Sequence, residues 1–288
     1  MSSGSILRKR FNDYMVLRGL SPNTQESYIQ AVSGLALYYN QSPAHLSNDQ
    51  IQTYLLYLIK DRCLAWSSCN VAFAGVRCFY TQILKWNETR FHIPPRSRQK
   101  KRPRILSIQE VERLLSVVKN PKHRALLMTV YGAGLRVSEV VRVKPCHIES
   151  DRMLIRVELA KGRVDRYTIL QERLLEELRI YWRVYRPGRE WLFPGRDRKQ
   201  PISIATAQKI YDQTRDKAGI TRGRGIHTLR HCFATHMLEN GENLDTIQRW
   251  MGHKSIVTTS GYLHVCNDRQ RTAKNPLDEL NLPSLLKQ

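Results

Sequence analysis

Tyr262, His253, Arg230, His227 and Arg136 are the residues of this chain whose types could together do chemistry on a phosphate. Tyr262 stands nine positions after His253, in a run that opens Met251-Gly252-His253. Upstream, His227 and Arg230 stand three apart in His227-Thr228-Leu229-Arg230-His231. Further upstream, Arg136 follows Gly132-Ala133-Gly134-Leu135, with Glu139 three residues on. A phenol can attack phosphorus, an imidazole can carry a proton, and a guanidinium grips phosphate oxygens through parallel N–H groups. Strand cleavage by a tyrosine needs such a set: a nucleophile, fixed donors where the non-bridging oxygens gain charge, and an acid for the leaving 5′ oxygen. One well-placed donor of this kind is worth about 10²–10³ in rate.

Each residue alone has a plainer reading. Arg136 and Glu139 have the spacing of an ordinary helical ion pair. His227 could cap or pack, although Gly223 and Gly225 lead into a helix start, which favours anions. His227 and His231 are spaced like two zinc ligands, but the Glu of the H-E-x-x-H pattern is missing and no third ligand is evident. A lone tyrosine on a helix usually packs. The chemical reading rests on the conjunction.

These residues need elements to hold them. Residues 1 to about 92 carry apolar positions at helical spacing, as in Ile6 to Leu17 and then Tyr28, Val32, Leu35 and Tyr39. Ser21 is a good N-cap before Pro22, a third helix starts near Ser47, and a fourth runs from about Ser67 to Leu84. This part reads as a small all-α bundle. Residues 93–104 form a basic, proline-bearing linker, in which Arg96, Arg98, Lys100, Lys101, Arg102 and Arg104 are expected to lie along a phosphate backbone.

From Leu106 the pattern is mixed. Ser107 with Glu110 reads as a capping box. A helix over His123–Tyr131 is ended by Gly132-Ala133-Gly134. Short strands are expected at Met153–Val157 and Arg166–Leu170, with Lys161 in the turn between them. Helices follow near Glu172–Val184, Ile204–Ala218, Thr228–Asn240, Leu244–Trp250 and Ile256–Tyr262. His253 falls in the turn between the last two, and Tyr262 near the end of the last. The fold class is therefore mainly α with a small β-sheet in the second part.

The bulk properties agree with a polyanionic partner. The chain has 288 residues, with 47 Lys+Arg against 25 Asp+Glu, a formal net charge of +22. Such a balance points to nucleic acid first and an acidic membrane surface second. No apolar run reaches the roughly 18–20 residues of a membrane span, and the first ten residues hold no apolar signal core. A cytoplasmic protein is expected. The six cysteines show no C-x-x-C pair and read as reduced, mostly packing thiols.

On these motifs the chain resembles the tyrosine recombinases of the phage integrase family, closest in layout to Xer-type and transposon-borne integrases. The likeness runs over nearly the whole chain. It rests on Ser21-Pro22-Asn23-Thr24 with Tyr28, on Leu106-Ser107 and on Gly132 to Glu139. It continues through His227-Thr228-Leu229-Arg230-His231 with Phe233-Ala234-Thr235-His236, Leu238-Glu239-Asn240-Gly241, Gly252-His253, Thr258-Thr259 and Tyr262, in that order.

The resemblance implies roles. Tyr262 would be the nucleophile of a 3′-phosphotyrosyl link. Arg136 and Arg230 would clamp the scissile phosphate and His253 would hydrogen-bond it. His227 would help take the tyrosine proton, Lys161 would protonate the leaving oxygen, and Glu139 would support the site. His231 looks structural. No cofactor and no metal is implied. It further implies a two-domain C-shaped clamp: a core-DNA-binding bundle (1–92), the linker (93–104), a catalytic domain (105–266) and a tail (267–288) docking in trans. The expected partner is a double-stranded DNA core site, bound as a homo-tetramer by a chain that is monomer or dimer when free. A second recombinase or an accessory DNA-bending protein could take part. Integron integrases carry an extra helix before the His-x-x-Arg motif, which residues 193–226 do not suggest. Two other functions compete: relaxation of DNA by a type IB topoisomerase, and DNA binding by a regulator with a silent active site.

Overall fold

A computed structural model describes residues 3–94, 105–158, 165–253 and 255–262. Lys161, the six basic linker residues, Cys266 and the tail lie outside these residues. The chain divides into two compact units at residues 99 and 100.

The first unit is helical. Helices α1 (Ser3–Leu17), α2 (Pro22–Tyr39), α3 (Asn48–Lys60) and α4 (Trp66–Gln82) surround one core. Their starts follow local chemistry. The Ser21 hydroxyl accepts from the Thr24 N–H with Pro22 in the first turn, and Ser47 and Gln50 form a reciprocal capping box. Phe11, Met15, Leu35, Ile51, Leu55 and Tyr80 fill the interior. Gly75 lets α4 approach α2 closely, since a Cβ there would sit 2.9 Å from the Tyr28 Cα.

The second unit begins with α5 (Ile108–Ser116), started by the Ser107–Glu110 capping box, and α6 (Pro121–Ala133), which ends in left-handed Gly134. A single turn, α7 (Val137–Val140), follows. Strands β1 (Ile148–Glu149), β2 (Leu154–Val157) and β3 (Arg166–Ile169) form an antiparallel sheet in that order, and Val157 pairs with Arg166 at the end of the hairpin where β2 leads into β3. Next come α8 (Glu172–Tyr185), α9 (Ile204–Lys217), α10 (His227–Glu239), α11 (Leu244–Met251) and α12 (Ile256–Ser260). Between residues 193 and 226, α9 is the one α-helix. β1 and α7 were not expected; two- and four-residue elements carry too little periodicity to read. Helix α12 stops at Ser260, so Tyr262 lies in the following turn and not on the helix.

Helix α10 runs through the interior. Its buried residues include the polar Thr228, Arg230, Thr235 and His236 beside Leu229, Phe233 and Leu238. Buried polar groups need partners. Nε2 of His236 faces the Leu106 carbonyl at 3.0 Å, a contact that needs a proton on Nε2; Nδ1 can then accept from the Tyr131 hydroxyl at 2.9 Å. The Leu106 N–H points to the Cys232 sulfur at 3.3 Å. Among the described cysteines, all free thiols, Cys69 and Cys232 are buried and Cys78 is half-buried, whereas Cys63 and Cys146 are exposed. Cys63 lies in the coil after α3 and Cys146 in the middle of the short 3-10 turn Pro145–His147, so no long helical face turns them inward. Among the described residues no helix is long and apolar enough to cross a membrane.

Candidate active site

The site is built where two helices end. The last carbonyls of a helix lack intrahelical partners and form the negative end of its dipole. Helix α6 ends at Gly134, and α11 ends through Trp250 and Met251 at left-handed Gly252. Three arginines use these carbonyls. Arg230 donates to the Gly134 carbonyl (2.5 Å) and the Met251 carbonyl (2.6 Å). Arg136 donates to the Gly252 carbonyl at 3.2 Å, and Arg166 Nε donates to the Trp250 carbonyl at 2.8 Å.

Two close contacts fix these ends. A Cβ on Gly134 would clash with the Phe233 ring, so the α6 cap is pressed onto α10. A Cβ on Gly252 would fall 2.8–3.1 Å from the Arg166 side chain, so the α11 cap lies directly on that guanidinium.

Three like charges repel, and one carboxylate binds them together. Glu139 takes two hydrogen bonds from Arg166 (2.9 and 2.8 Å) and one from the Arg136 side chain (2.8 Å). It also accepts the Arg136 backbone N–H at 2.8 Å, and Arg230 lies 3.7 Å away. Burial would raise this carboxyl, but the hydrogen bonds and charge of Arg166 and Arg136 outweigh it and hold the group at about 2. The short α7 turn explains the placement: Glu139 is its third residue and folds back on the N–H of Arg136, the cap just before it. Arg230 is 4% exposed, and burial, then Arg136, pull it down to about 9. Among the described residues, three guanidinium groups meet one carboxylate and two helix ends, an excess of positive charge that would take an anion.

The histidines and the tyrosine border the cluster. His253 lies just past Gly252, and its Nδ1 is 2.9 Å from the Thr259 hydroxyl of α12. Burial, then Arg230, Arg136 and Arg166, push His253 down to about 4, so it is neutral near pH 7. A Thr259 hydroxyl that donates to Nδ1 would leave the His253 proton on Nε2, where a ligand oxygen could accept it. The Tyr262 ring lies parallel to His253, with centroids 6.4 Å apart and 12° between the planes. Its hydroxyl is 2.7 Å from His231 Nδ1. Burial raises the phenol, with Arg230 and then Arg136 acting against it. Tyr262 is 5% exposed.

Of the residues singled out from sequence, Arg136, Glu139, Arg230, His253 and Tyr262 come together here. His227 is exposed in the first turn of α10. Lys161 and the linker cations fall outside the described residues. Three contributors were not singled out as site residues: Arg166, Thr259 and His231. His231 was read as structural, yet it is the residue that touches the phenol oxygen. Strand alternation carried a signal for Arg166. It shares the face of β3 with buried Thr168, whose hydroxyl bonds the Ala133 carbonyl, and a charge on an inner face must have a partner.

Comparison with known proteins gives the family of the chain. Residues 104–269 match the phage integrase family and residues 7–88 match the phage integrase N-terminal SAM-like domain. The chain is 39% identical over 279 residues to the protein of Sinorhizobium fredii provisionally named integrase/recombinase y4qK, covering 96% of this chain and 90% of that protein. It is 32% identical over 272 residues to the tyrosine recombinase XerA of Thermococcus onnurineus, covering 92% and 93%. In fold it is similar to the XerH site-specific recombinase in a post-cleavage complex with its palindromic difH substrate. The TM-score there is 0.71 at 20% identity, over 94% of this chain and 84% of that one. The chain belongs to the phage integrase family of tyrosine recombinases, whose members are DNA strand-transferring enzymes.

Proposed function

We propose that this protein cleaves and rejoins duplex DNA at a specific core site through a 3′-phosphotyrosyl intermediate. The observation that carries the reading is the cluster of Arg136, Arg166 and Arg230 around Glu139, with the Tyr262 phenol and the His253 ring at its border. Arg136 and Arg230 would turn toward the non-bridging oxygens of the scissile phosphate, where charge builds in the transition state. His253 would donate Nε2–H to the same oxygens. Tyr262 Oη would attack phosphorus, and Lys161 would protonate the departing 5′ oxygen. His227 and His231 stand one helical turn apart beside the arginines, in reach of the proton traffic. The phosphotyrosyl bond conserves the energy of the cleaved linkage, so rejoining requires no nucleotide and no metal.

On this reading both units bind the duplex, and the linker cations add to the attraction for its phosphates. Four subunits exchange strands through a Holliday junction, each tail docked on its neighbour. The task would be integration, excision or resolution for a mobile element, carried out in the cytoplasm. The single helix between residues 193 and 226 favours an ordinary duplex site over a folded single strand.

The test is covalent trapping in EDTA, with nicked fragments of host and element DNA as the probe. Wild type is expected to form adducts sharing one sequence, and Tyr262→Phe to bind the same DNA without any adduct. Adducts with no common sequence would favour relaxation by a type IB topoisomerase. Binding without adducts in the wild type would favour a silent DNA-binding regulator. Cleavage that stops in EDTA would remove the phosphotyrosyl reading.

A further inference from the structure

We propose that His231 is a catalytic residue of this protein, the base that takes the Tyr262 proton as the phenol attacks phosphorus. This rests on the recombinase reading above. A base must lie within hydrogen-bond reach of the proton it removes, about 2.6–3.2 Å. His231 Nδ1 is 2.7 Å from Tyr262 Oη, with ring centroids 5.7 Å apart. The resemblance gives this task to His227. Yet His227 is exposed one turn earlier on α10, whereas His231 is half-buried against the nucleophile. Helical spacing explains both: four residues apart, the two histidines share one face, and the second is nearer the interior.

The surroundings suit a neutral base. Burial lowers His231, and His227 and Arg230 lower it further. In the free protein the imidazole is therefore uncharged, and for Nδ1 to accept the phenol proton the ring carries its own proton on Nε2. A phosphate anion held by Arg230 would offset the part of the lowering that comes from that charge, so substrate binding itself would strengthen the base.

The proton balance closes without a co-reactant. The Oη–H bond breaks and its proton goes to Nδ1, giving an imidazolium. The Oη–P bond forms, the bond from phosphorus to the 5′ oxygen breaks, and Lys161 supplies the proton of the new 5′ hydroxyl. Rejoining reverses each transfer, and His231 returns the proton to the phenol as Tyr262 leaves.

The experiment uses the full chain and the nicked duplex recovered by covalent trapping. His231→Asn keeps a hydrogen-bond acceptor near the Nδ1 position but cannot take the proton. It is expected to slow adduct formation by about 10²–10⁴, the usual worth of a positioned base. Replacing Tyr262 with a ring-fluorinated tyrosine, whose phenol ionises more readily, should restore most of that loss. A substrate with sulfur at the 5′ bridging position, whose leaving group needs no acid, should restore none of it. The proposal falls if His231→Asn cleaves at the wild-type rate. It also falls if the variant folds and binds DNA but the fluorinated tyrosine recovers nothing, or if His227→Asn alone shows the loss and the rescue. Should His231→Asn not fold, nitrogen NMR of the wild-type histidine rings decides. Nδ1 must be the unprotonated nitrogen and must respond to Tyr262→Phe, and a proton on Nδ1 overturns the proposal. Absence of any wild-type adduct would instead sink the recombinase reading, and this proposal with it.

Discussion

Glu139 is the residue on which the site's electrostatics turn, because Arg136 and Arg166 both hydrogen-bond its single buried carboxylate while Arg230 stands beside it. Breaking a buried pair from one side leaves an uncompensated charge. Arg166→Ala should therefore destabilise the protein by about 3 kcal/mol, the low end of the usual range because Arg136 stays on Glu139. Urea unfolding would measure this, and an unchanged midpoint would contradict the arrangement. Arg230→Ala should slow cleavage at least about 10²-fold, read as adduct formation at matched DNA occupancy. Acid should act through the same residues. His253 is held at about 4, below its ordinary 6.5, so the stability from keeping it neutral is complete above pH 6.5 and is lost as pH falls toward 4. Glu139 is held at about 2 against an ordinary 4.5, so its contribution is complete above 4.5 and is lost as pH falls toward 2. The Glu139 part is on the order of 3 kcal/mol. Stability measured against pH should fall across both windows, and Glu139→Gln should flatten the lower one.

At the scale of elements, the site depends on where α6 and α11 stop. Gly252 has φ +61 and no room for a Cβ against Arg166. Gly252→Ala should cost more than the roughly 1–2 kcal/mol of an ordinary left-handed alanine. It should also reduce cleavage, since the Arg136 contact and His253 both hang on this turn; a variant of wild-type stability and activity would show that the turn can move freely. The helices of both units were legible because their signals are local. Ser21-Pro22, Ser47 with Gln50, and Ser107 with Glu110 each satisfy the first N–H groups from within four residues. The gathering of Arg136, Glu139, Arg230, His253 and Tyr262 was legible from motif order. Arg166 and His231 were not, because each acts through a partner distant in sequence: Glu139 is 27 positions from the first, and Tyr262 is 31 from the second. β1 and α7 are too short to have a period at all.

For the whole molecule, a formal charge of +22 spread over both units predicts a DNA affinity that falls steeply with salt. The tail carries Leu277, Leu280, Leu282, Leu285 and Leu286, the residues on which the proposed docking rests. Deleting residues 275–288 should weaken assembly of paired sites more than binding to one site; a gel-shift titration separates the two, and equal losses would remove the docking idea. The shared carboxylate also governs how the site can change over time. Substitutions that touch one partner network do not add, and coupling energies of about 0.5–3 kcal/mol are usual between such neighbours. A lineage that alters Arg166 thereby changes what any later change at Arg136 or Glu139 can do. The order of mutations then matters, and some routes between two working sites are closed although both ends function.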